Sequence, residues 1–245
     1  MLLGGTFGGE IFAILGVSVV AIGNSAPLAI LIGGLLALCA AYFYVKLARL
    51  YKDKGATYSF FLKTYPDSHF AAAAIGWMVG FGYISTLALY AFMISSYFCA
   101  AFSIEDYLWS HQLVAGSVIL FFSVVKLISV KGMGELEDVM GYTKIILLVI
   151  ISALLTWKSD IQKALPIIES NSSWASILMI AAVTFVAYEG VKLVIHAYHQ
   201  VDAPERNIPR TIYGAIVVAT ILYVVLAIGA LPTIPKAEII AGGGI

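Results

Sequence analysis

The hydrophobic pattern of this chain consists of long apolar runs that are separated by short polar stretches. A transmembrane helix needs about 20 mostly apolar residues. Seven runs meet this requirement, and they cover residues 1–21, 26–47, 70–102, 112–130, 138–157, 174–199 and 209–231. The third run is the longest because residues 70–104 carry no charge, and a tilted helix would accommodate it. The pattern therefore predicts an all-α polytopic membrane protein with about seven transmembrane helices.

The connections between the predicted spans are mostly short. The sequence "GNSAP" at residues 23–27 predicts a turn between the first two spans. Residues 51–69 are predicted to form the first long polar loop, and residues 158–173 are predicted to connect the fifth span to the sixth on the extracellular side.

Composition agrees with this class of protein. The chain is 61% hydrophobic and 11% charged, and its mean hydropathy is +0.97. Soluble domains contain about half apolar and about a quarter charged residues. The formal net charge is +0, so nothing supports binding to nucleic acid, which requires a basic patch. The lipid bilayer is the environment that this composition predicts.

Basic residues are distributed unevenly between the two sides of the predicted membrane domain. The loops after the second, fourth and sixth spans hold nine of the 14 Lys and Arg residues: Lys46, Arg49, Lys52, Lys54, Lys63, Lys126, Lys131, Arg206 and Arg210. The opposite side holds Lys158, Lys163 and Lys236. Because cytoplasmic loops carry the excess of basic residues, we expect a multi-pass protein of the cell membrane. Its N-terminus would be cytoplasmic and its C-terminus extracellular.

Four ionisable side chains fall inside the predicted spans, namely Glu10, Lys144, Glu189 and Lys192. A charge that faces lipid is costly, so each is expected to face the protein interior or a water-filled cavity. Two of the four are acidic and two are basic, so pairing would neutralise the set. Lys144 has an alternative, because it lies about 9 Å from the cytoplasmic start of its span and would be able to snorkel outward.

The sixth span carries a polar seam. Lys192, His196 and His199 follow Glu189 at spacings that place them near one helical face. Two histidines suggest a metal, but no third ligand stands at a suitable spacing. We interpret them as polar residues near the cytoplasmic end of a helix, and predict neither a metal nor a cofactor. No Ser or Cys nucleophile has a plausible His/acid partner pattern, which argues against an enzyme.

Glycines accompany the charges in two of the predicted spans. The first span begins with "GGTFGGEIF" at residues 4–12, and the sixth contains "YEG" at residues 188–190. In transporters, interrupted helices at corresponding places in two repeats mark the binding site. Spans one and six are five apart, which is the offset of two five-helix inverted repeats. The exposed N–H groups at such breaks attract anions such as a carboxylate. The alternative is that the glycines only permit close helix packing.

Several motifs resemble those of the amino acid–polyamine–organocation permeases. "GGTFGGEIFAILG" at residues 4–16 resembles their first-helix Ile-Gly-Ser/Ala-Gly-Ile-Phe core. Residues 46–66 resemble the loop after their second helix, with its Gly-Ala-x-Tyr signature, and "GWMVGFGYI" at 76–84 resembles the start of their third helix. Residues 185–212 resemble their sixth helix, with Phe-x-Ala-Tyr-x-Gly, and the loop that follows. In that loop, "APERNIPR" at residues 203–210 resembles the family motif Asn-Pro-x-Arg-x-Ile-Pro-Arg. This motif is the most specific part of the resemblance.

The resemblance implies a leucine-transporter-like fold of 5+5 inverted repeats, in which unwound parts of helices one and six bind substrate. Backbone N–H groups of Gly8 and Gly9 would bind a substrate carboxylate, and carbonyl groups of the break would bind an amino group. The implied substrate-binding residues are Gly8, Gly9, Glu10, Phe185, Ala187, Tyr188, Glu189 and Gly190. Lys144 falls where some proton-coupled members place a lysine on helix five, which implies a role in proton coupling.

The sequence departs from the family pattern at charged positions. Glu10 stands where the second glycine of the first-helix motif is expected, and Lys192 stands near a position that is often acidic. We hypothesise that Glu10 forms an ion pair with Lys192 or Lys144, or that it favours a cationic substrate.

The predicted organisation is that of an incomplete repeat pair. Residues 1–157 would form the first five-helix repeat, with its first helix clipped at the start, and residues 174–245 would begin the second with helices six and seven. We expect a secondary transporter of amino acids or related amines that works by alternating access and is coupled to protons. The alternative is a truncated permease fragment that acts only with a complementing C-terminal half or as a homo-oligomer.

Overall fold

The computed structural model describes residues 10–52, 56–104, 109–128, 130–159, 173–196 and 198–234. Within these ranges every regular element is a helix. The α-helices are α1 (Glu10–Ile22), α2 (Ala26–Tyr51), α3 (Ala56–Thr64), α4 (His69–Phe102), α5 (Ser110–Ile128), α6 (Val130–Lys158), α7 (Trp174–Thr184), α8 (Leu193–His196) and α9 (Pro204–Thr233). The 3₁₀ segments are Gly23–Ser25, Phe185–Lys192 and Tyr198–Gln200.

Five described segments are long and apolar enough to cross a membrane. They are Ile14–Tyr51, His69–Phe102, Ser110–Ile128, Val139–Trp157 and Pro204–Thr233. The described helices agree with the predicted all-α class and with several membrane spans, whereas the number seven stays a prediction. The first two predicted spans correspond to α1 and α2, which are separated by the 3₁₀ turn Gly23–Ser25, where Gly23 has a positive φ of 54°. The sixth contributes only the shorter apolar helix Trp174–Tyr188, because its α-helix is interrupted.

Three boundaries differ from the sequence prediction. The helix of the fifth span begins at Val130, eight residues before the predicted start at residue 138. The predicted polar loop at 51–69 contains α3, whose Phe60 is buried, so its polar residues concealed a short helix. Helix α9 begins at Pro204, five residues before the predicted start of the seventh span at residue 209. Proline is well suited to the first turn of a helix, where its missing N–H is not needed. Most of the "APERNIPR" segment is therefore helix rather than loop.

The chain divides into two compact units, one formed by residues 1–56 with 139–245 and the other by residues 57–138. This division follows contacts, whereas the predicted repeats of residues 1–157 and 174–245 are defined by topology, so the repeats stay a prediction.

Helix α2 is the centre of the first unit, where it packs against α7 and α9. A Cβ added at Gly33 would collide with Thr184 of α7, and one at Gly34 would collide with Thr220 of α9. Small residues of this kind let helix backbones approach closely in a membrane, where packing rather than hydrophobic burial drives association. The two adjacent glycines thus hold the interrupted sixth span and α9 against the same helix.

The second unit is built on the packing of α4 against α5. Ala91, Ser95 and Cys99 are buried at four-residue spacing, so they share one face of α4. The Ser95 hydroxyl donates to the Phe92 carbonyl oxygen within the helix at 2.7 Å, which satisfies the polar group without a partner from another helix. Large apolar side chains such as Phe70 and Trp77 are exposed, as expected for surfaces that face lipid.

Candidate functional site

The sixth predicted span is interrupted where the sequence places charges and a glycine. Helix α7 begins with Ser173 as its N-cap, whose hydroxyl accepts a bond from the Ala175 N–H at 3.3 Å, and it ends at Thr184. The segment Phe185–Lys192 then continues as a 3₁₀-helix for eight residues before α8. Because 3₁₀ runs longer than about four residues are uncommon, such a stretch inside a helix often marks a functional hinge.

The side chain of Thr184 stabilises the end of α7 against α2. Its Oγ1 lies 2.9 Å from the Ala181 carbonyl oxygen and 3.3 Å from the Ala29 carbonyl oxygen. One hydroxyl proton is shared between an acceptor in its own helix and one in α2. The 3₁₀ segment therefore starts from a position that is fixed to α2.

Tyr188 anchors the middle of the 3₁₀ segment. Its side chain is buried, and its hydroxyl donates to the Ile30 carbonyl oxygen of α2 at 3.3 Å. Its ring lies 5.8 Å from the ring of Tyr223 on α9, at an interplanar angle of 50°. The contact therefore joins the interrupted span to two continuous helices.

Exposure changes along the 3₁₀ segment. Ala187 and Tyr188 are buried, whereas Phe185 and Val186 are 36% and 40% exposed. Gly190 is half-buried. The start of the break is thus accessible, and its middle is held by packing.

Helix α1 contacts the 3₁₀ segment directly. The structure thereby brings the first predicted span beside the interruption of the sixth. Glu10 is the first residue of α1, and its side chain lies outside the described part, as do Gly8 and Gly9 altogether. The predicted glycine break of the first span therefore remains a prediction.

The remaining charged positions of the predicted site are described to different extents. Lys144 is half-buried on α6, in the same unit as α1 and α7. Glu189 and Lys192 belong to the 3₁₀ segment by their backbone, and their side chains lie outside the described part. The predicted ion pairs of Glu10 with Lys144 or Lys192 stay predictions.

The histidines of the sixth span lie on the surface. His196 and His199 are exposed, and the described residues contain no group of three His, Cys, Asp or Glu side chains that could hold a metal ion. Tyr198, between them in sequence, is buried, and its ring meets that of His199 edge to face at 5.6 Å.

A second polar cluster joins the end of α2 to the start of α9, and sequence reasoning missed it. Lys52 Nζ lies 2.7 Å from Glu205 Oε1, and Arg49 Nη2 donates to the Glu205 carbonyl oxygen at 3.1 Å. The carboxylate of Glu205 raises the pKa of Lys52 above its ordinary value, first through the hydrogen bond and then through its charge. The sequence signal for this cluster is the group of basic residues at the end of α2, which also predicts the orientation of the chain.

Comparison with known proteins gives a consistent result. A family model described as amino acid permease matches residues 1–245. The inner membrane transport protein YbaT of Escherichia coli is 26% identical over 243 residues, covering 97% of this chain and 55% of the relative.

Two proteins of Bacillus subtilis also match nearly the whole chain. The methylthioribose transporter is 27% identical over 257 residues, covering 98% of this chain and 54% of the relative. The branched-chain amino acid permease BcaP is 22% identical over 255 residues, covering 96% of this chain and 53% of the relative.

The chain spans about half the length of the curated relatives it matches. Those with functional names are transport proteins rather than enzymes. The match of the family model to the whole chain, together with the apolar helices, shows that this multi-pass membrane protein belongs to the amino acid permease family.

Proposed function

We propose that this chain takes part in secondary active transport of amino acids or related amines, and that its substrate binds beside the interrupted sixth span. The 3₁₀ segment Phe185–Lys192 is the observation that carries the proposal. Residues whose N–H and C=O groups leave the α-helical pattern are able to bind the charged ends of a small molecule.

The geometry around the break supports this location. Tyr188 fixes the 3₁₀ segment to α2 and α9, while Phe185 and Val186 remain accessible. Helix α1 lies against the segment, which is the arrangement needed for a substrate held between two unwound regions. In this proposal Gly8 and Gly9 bind a carboxylate through N–H groups, and carbonyl oxygens at residues 188–190 bind an amino group.

The class of substrate follows from the family and from the chemistry of the break. The family is described as amino acid permeases, and one relative is a branched-chain amino acid permease. Another relative is a methylthioribose transporter, so members with similar sequences differ in substrate. Glu10 adds a carboxylate to the site, which favours a cationic substrate unless Lys144 or Lys192 forms an ion pair with it.

The mechanism that we propose is alternating access coupled to protons. The interrupted span belongs to one compact unit of the chain, and α4 and α5 belong to the other. Movement of the interrupted helices as one body would expose the substrate to each side of the membrane in turn. Lys144, half-buried on α6, would bind and release the coupled proton.

Uptake into proteoliposomes that contain the purified chain tests the proposal. We expect saturable uptake of a labelled amino acid, stimulated by an inward proton gradient and inhibited by members of a panel of neutral and cationic amino acids and amines. Lys144→Gln should reduce the stimulation at least about tenfold, because a charge that changes between states is lost. Lys126→Gln, at an exposed lysine of α5, is the matched control and should leave uptake unchanged.

Two outcomes would contradict the proposal. Uptake that requires sodium and ignores the pH gradient would exclude proton coupling. If no amino acid or amine of the panel is bound by the folded chain, as measured by equilibrium dialysis, the proposed substrate class is wrong. Preference for cationic over neutral competitors would assign Glu10 to substrate recognition rather than to an ion pair.

A further inference from the structure

A basic cleft lies where α2 ends and α9 begins. It has a volume of about 650 Å³ and is open to the surface. Its lining residues are Arg49, Glu205, Arg206, Pro209, Arg210 and Tyr213. All of them belong to the first compact unit, so the cleft is formed within one part of the chain.

The charges of the cleft are not balanced. Three guanidinium groups face one carboxylate, and that carboxylate, of Glu205, already forms an ion pair with Lys52 at 2.7 Å. Arg49 donates to the Glu205 carbonyl oxygen at 3.1 Å, a bond that holds its side chain over the first turn of α9 but does not neutralise it. The cleft therefore carries a net positive charge.

Arg206 and Arg210 are exposed and have no ion-pair or hydrogen-bond partner for their guanidinium groups among the described residues. They are four residues apart on α9, so their side chains lie on one helical face. The planar fork of an arginine matches the oxygen atoms of a phosphate in a bidentate geometry. Two such groups, with Arg49 opposite, form a site for a phosphate anion.

Backbone amides of the first turn contribute little to this site. The N–H groups of Arg206 and Asn207 both bond to the Ala203 carbonyl oxygen at 3.0 Å. The partial positive charge of the helix N-terminus still favours an anion, but the direct contacts must come from the arginine side chains.

The same face of α9 continues as an apolar surface. Tyr213 is followed at four-residue spacing by Val217 and Ile221, which are 43% and 57% exposed. The cleft thus lies at the end of a candidate membrane span, with a tyrosine at the boundary and exposed aliphatic side chains below it. Tyrosines are enriched at this level of a bilayer. A free phosphate ion would not contact this apolar surface, whereas the acyl chain of a lipid would.

We propose that this cleft binds the phosphate group of an anionic phospholipid, with an acyl chain lying along Val217 and Ile221. The site is separate from the proposed substrate site at the 3₁₀ segment, and its occupancy does not depend on transport. Basic pockets at helix ends bind anionic lipid head groups in this manner.

Native mass spectrometry of the full chain in detergent tests the proposal, with phosphatidylglycerol and phosphatidylcholine of identical acyl chains as probes. We expect the chain to retain phosphatidylglycerol in preference to phosphatidylcholine. The double variant Arg206→Gln/Arg210→Gln should weaken phosphatidylglycerol binding about tenfold or more, since it removes two of the three guanidinium groups that line the cleft.

Two further variants control for nonspecific charge effects. Lys63→Gln/Lys126→Gln removes two exposed basic residues elsewhere and should leave the preference intact. Arg206→Lys/Arg210→Lys keeps the charges but removes the bidentate fork, so its affinity should be intermediate. Size-exclusion chromatography and circular dichroism establish that each variant is folded, which is expected because both arginines are exposed.

Three results would overturn the proposal. The first is that the double glutamine variant keeps the preference for phosphatidylglycerol. The second is that the Lys63→Gln/Lys126→Gln variant loses this preference to the same degree as the double glutamine variant. Displacement of the lipid by inorganic phosphate at an equal concentration would also overturn the proposal, because the apolar continuation would then add nothing and the cleft would be assigned to a free anion.

Discussion

At the scale of single residues, Gly33 and Gly34 set the positions of two helices relative to α2. They are consecutive, so their Cα hydrogens point in directions that differ by about 100° around the helix. One faces Thr184 at the end of α7 and the other faces Thr220 of α9. Because Thr184 ends α7 immediately before the 3₁₀ segment, a change at Gly33 acts on the frame that holds the candidate substrate site.

Gly33→Ala tests this close contact. The added Cβ would collide with Thr184 Oγ1 and would lie 3.1 Å from the Ala181 carbonyl oxygen. Neither atom is the far end of a flexible side chain, so we expect the free energy of unfolding to fall by about 1–3 kcal/mol. The measurement is unfolding in mixed micelles with increasing denaturing detergent.

Gly214→Ala is the matched control, because no described atom lies within 4 Å of the Cβ that it would add on α9. Its stability should be unchanged or slightly higher, since alanine favours helix by up to about 1 kcal/mol. In a Thr184→Ala background, Gly33→Ala should cost less, because the colliding Oγ1 is gone. Equal costs at Gly33 and Gly214 would contradict the packing account.

At the scale of elements, the interrupted sixth span combines a rigid start with a poorly bonded middle. Helix α7 is capped by Ser173 and packs its Ile177 and Ile180 into a core with Ile22 and Ala29. The eight residues that follow have 3₁₀ bonds of poorer geometry, and only Ala187 and Tyr188 of this segment are described as buried. The same span therefore contains a stable and a labile portion.

Hydrogen–deuterium exchange distinguishes these portions. We expect amides of Phe185–Lys192 to exchange roughly tenfold faster than those of Trp174–Thr184, because local opening is easier where hydrogen bonds are weak and few side chains are buried. A bound amino acid should slow exchange in the 3₁₀ segment and leave α7 unchanged. Uniform protection across both segments would show that the break is as stable as the helix before it.

At the scale of the whole molecule, the sequence predicted those features that depend on residues close together in the chain. The apolar runs located the helices, and the charges with Gly190 located the interruption, because each is visible within a few residues. The anchor of Tyr188 on Ile30 and the bond of Arg49 to Glu205 join positions 158 and 156 residues apart, which no local pattern reveals. The sequence did not predict helix α3, because the polar residues around it are typical of a loop and give no sign that Phe60 is buried.

Orientation in the membrane is the remaining property of the whole molecule that the charge pattern predicts. We expect the connection between α3 and α4 to be cytoplasmic and the one between α4 and α5 to be extracellular, because basic residues are concentrated on the former side. Asp67 and Trp109 are exposed residues of these two connections and belong to the same compact unit. Each can be replaced by cysteine after exposed Cys39 and buried Cys99 have been changed to serine.

A membrane-impermeant maleimide applied to intact cells should label Trp109→Cys and leave Asp67→Cys unlabelled. After the membrane is permeabilised, both should react, which shows that the unlabelled cysteine is accessible from the other side. The reverse pattern would invert the predicted topology.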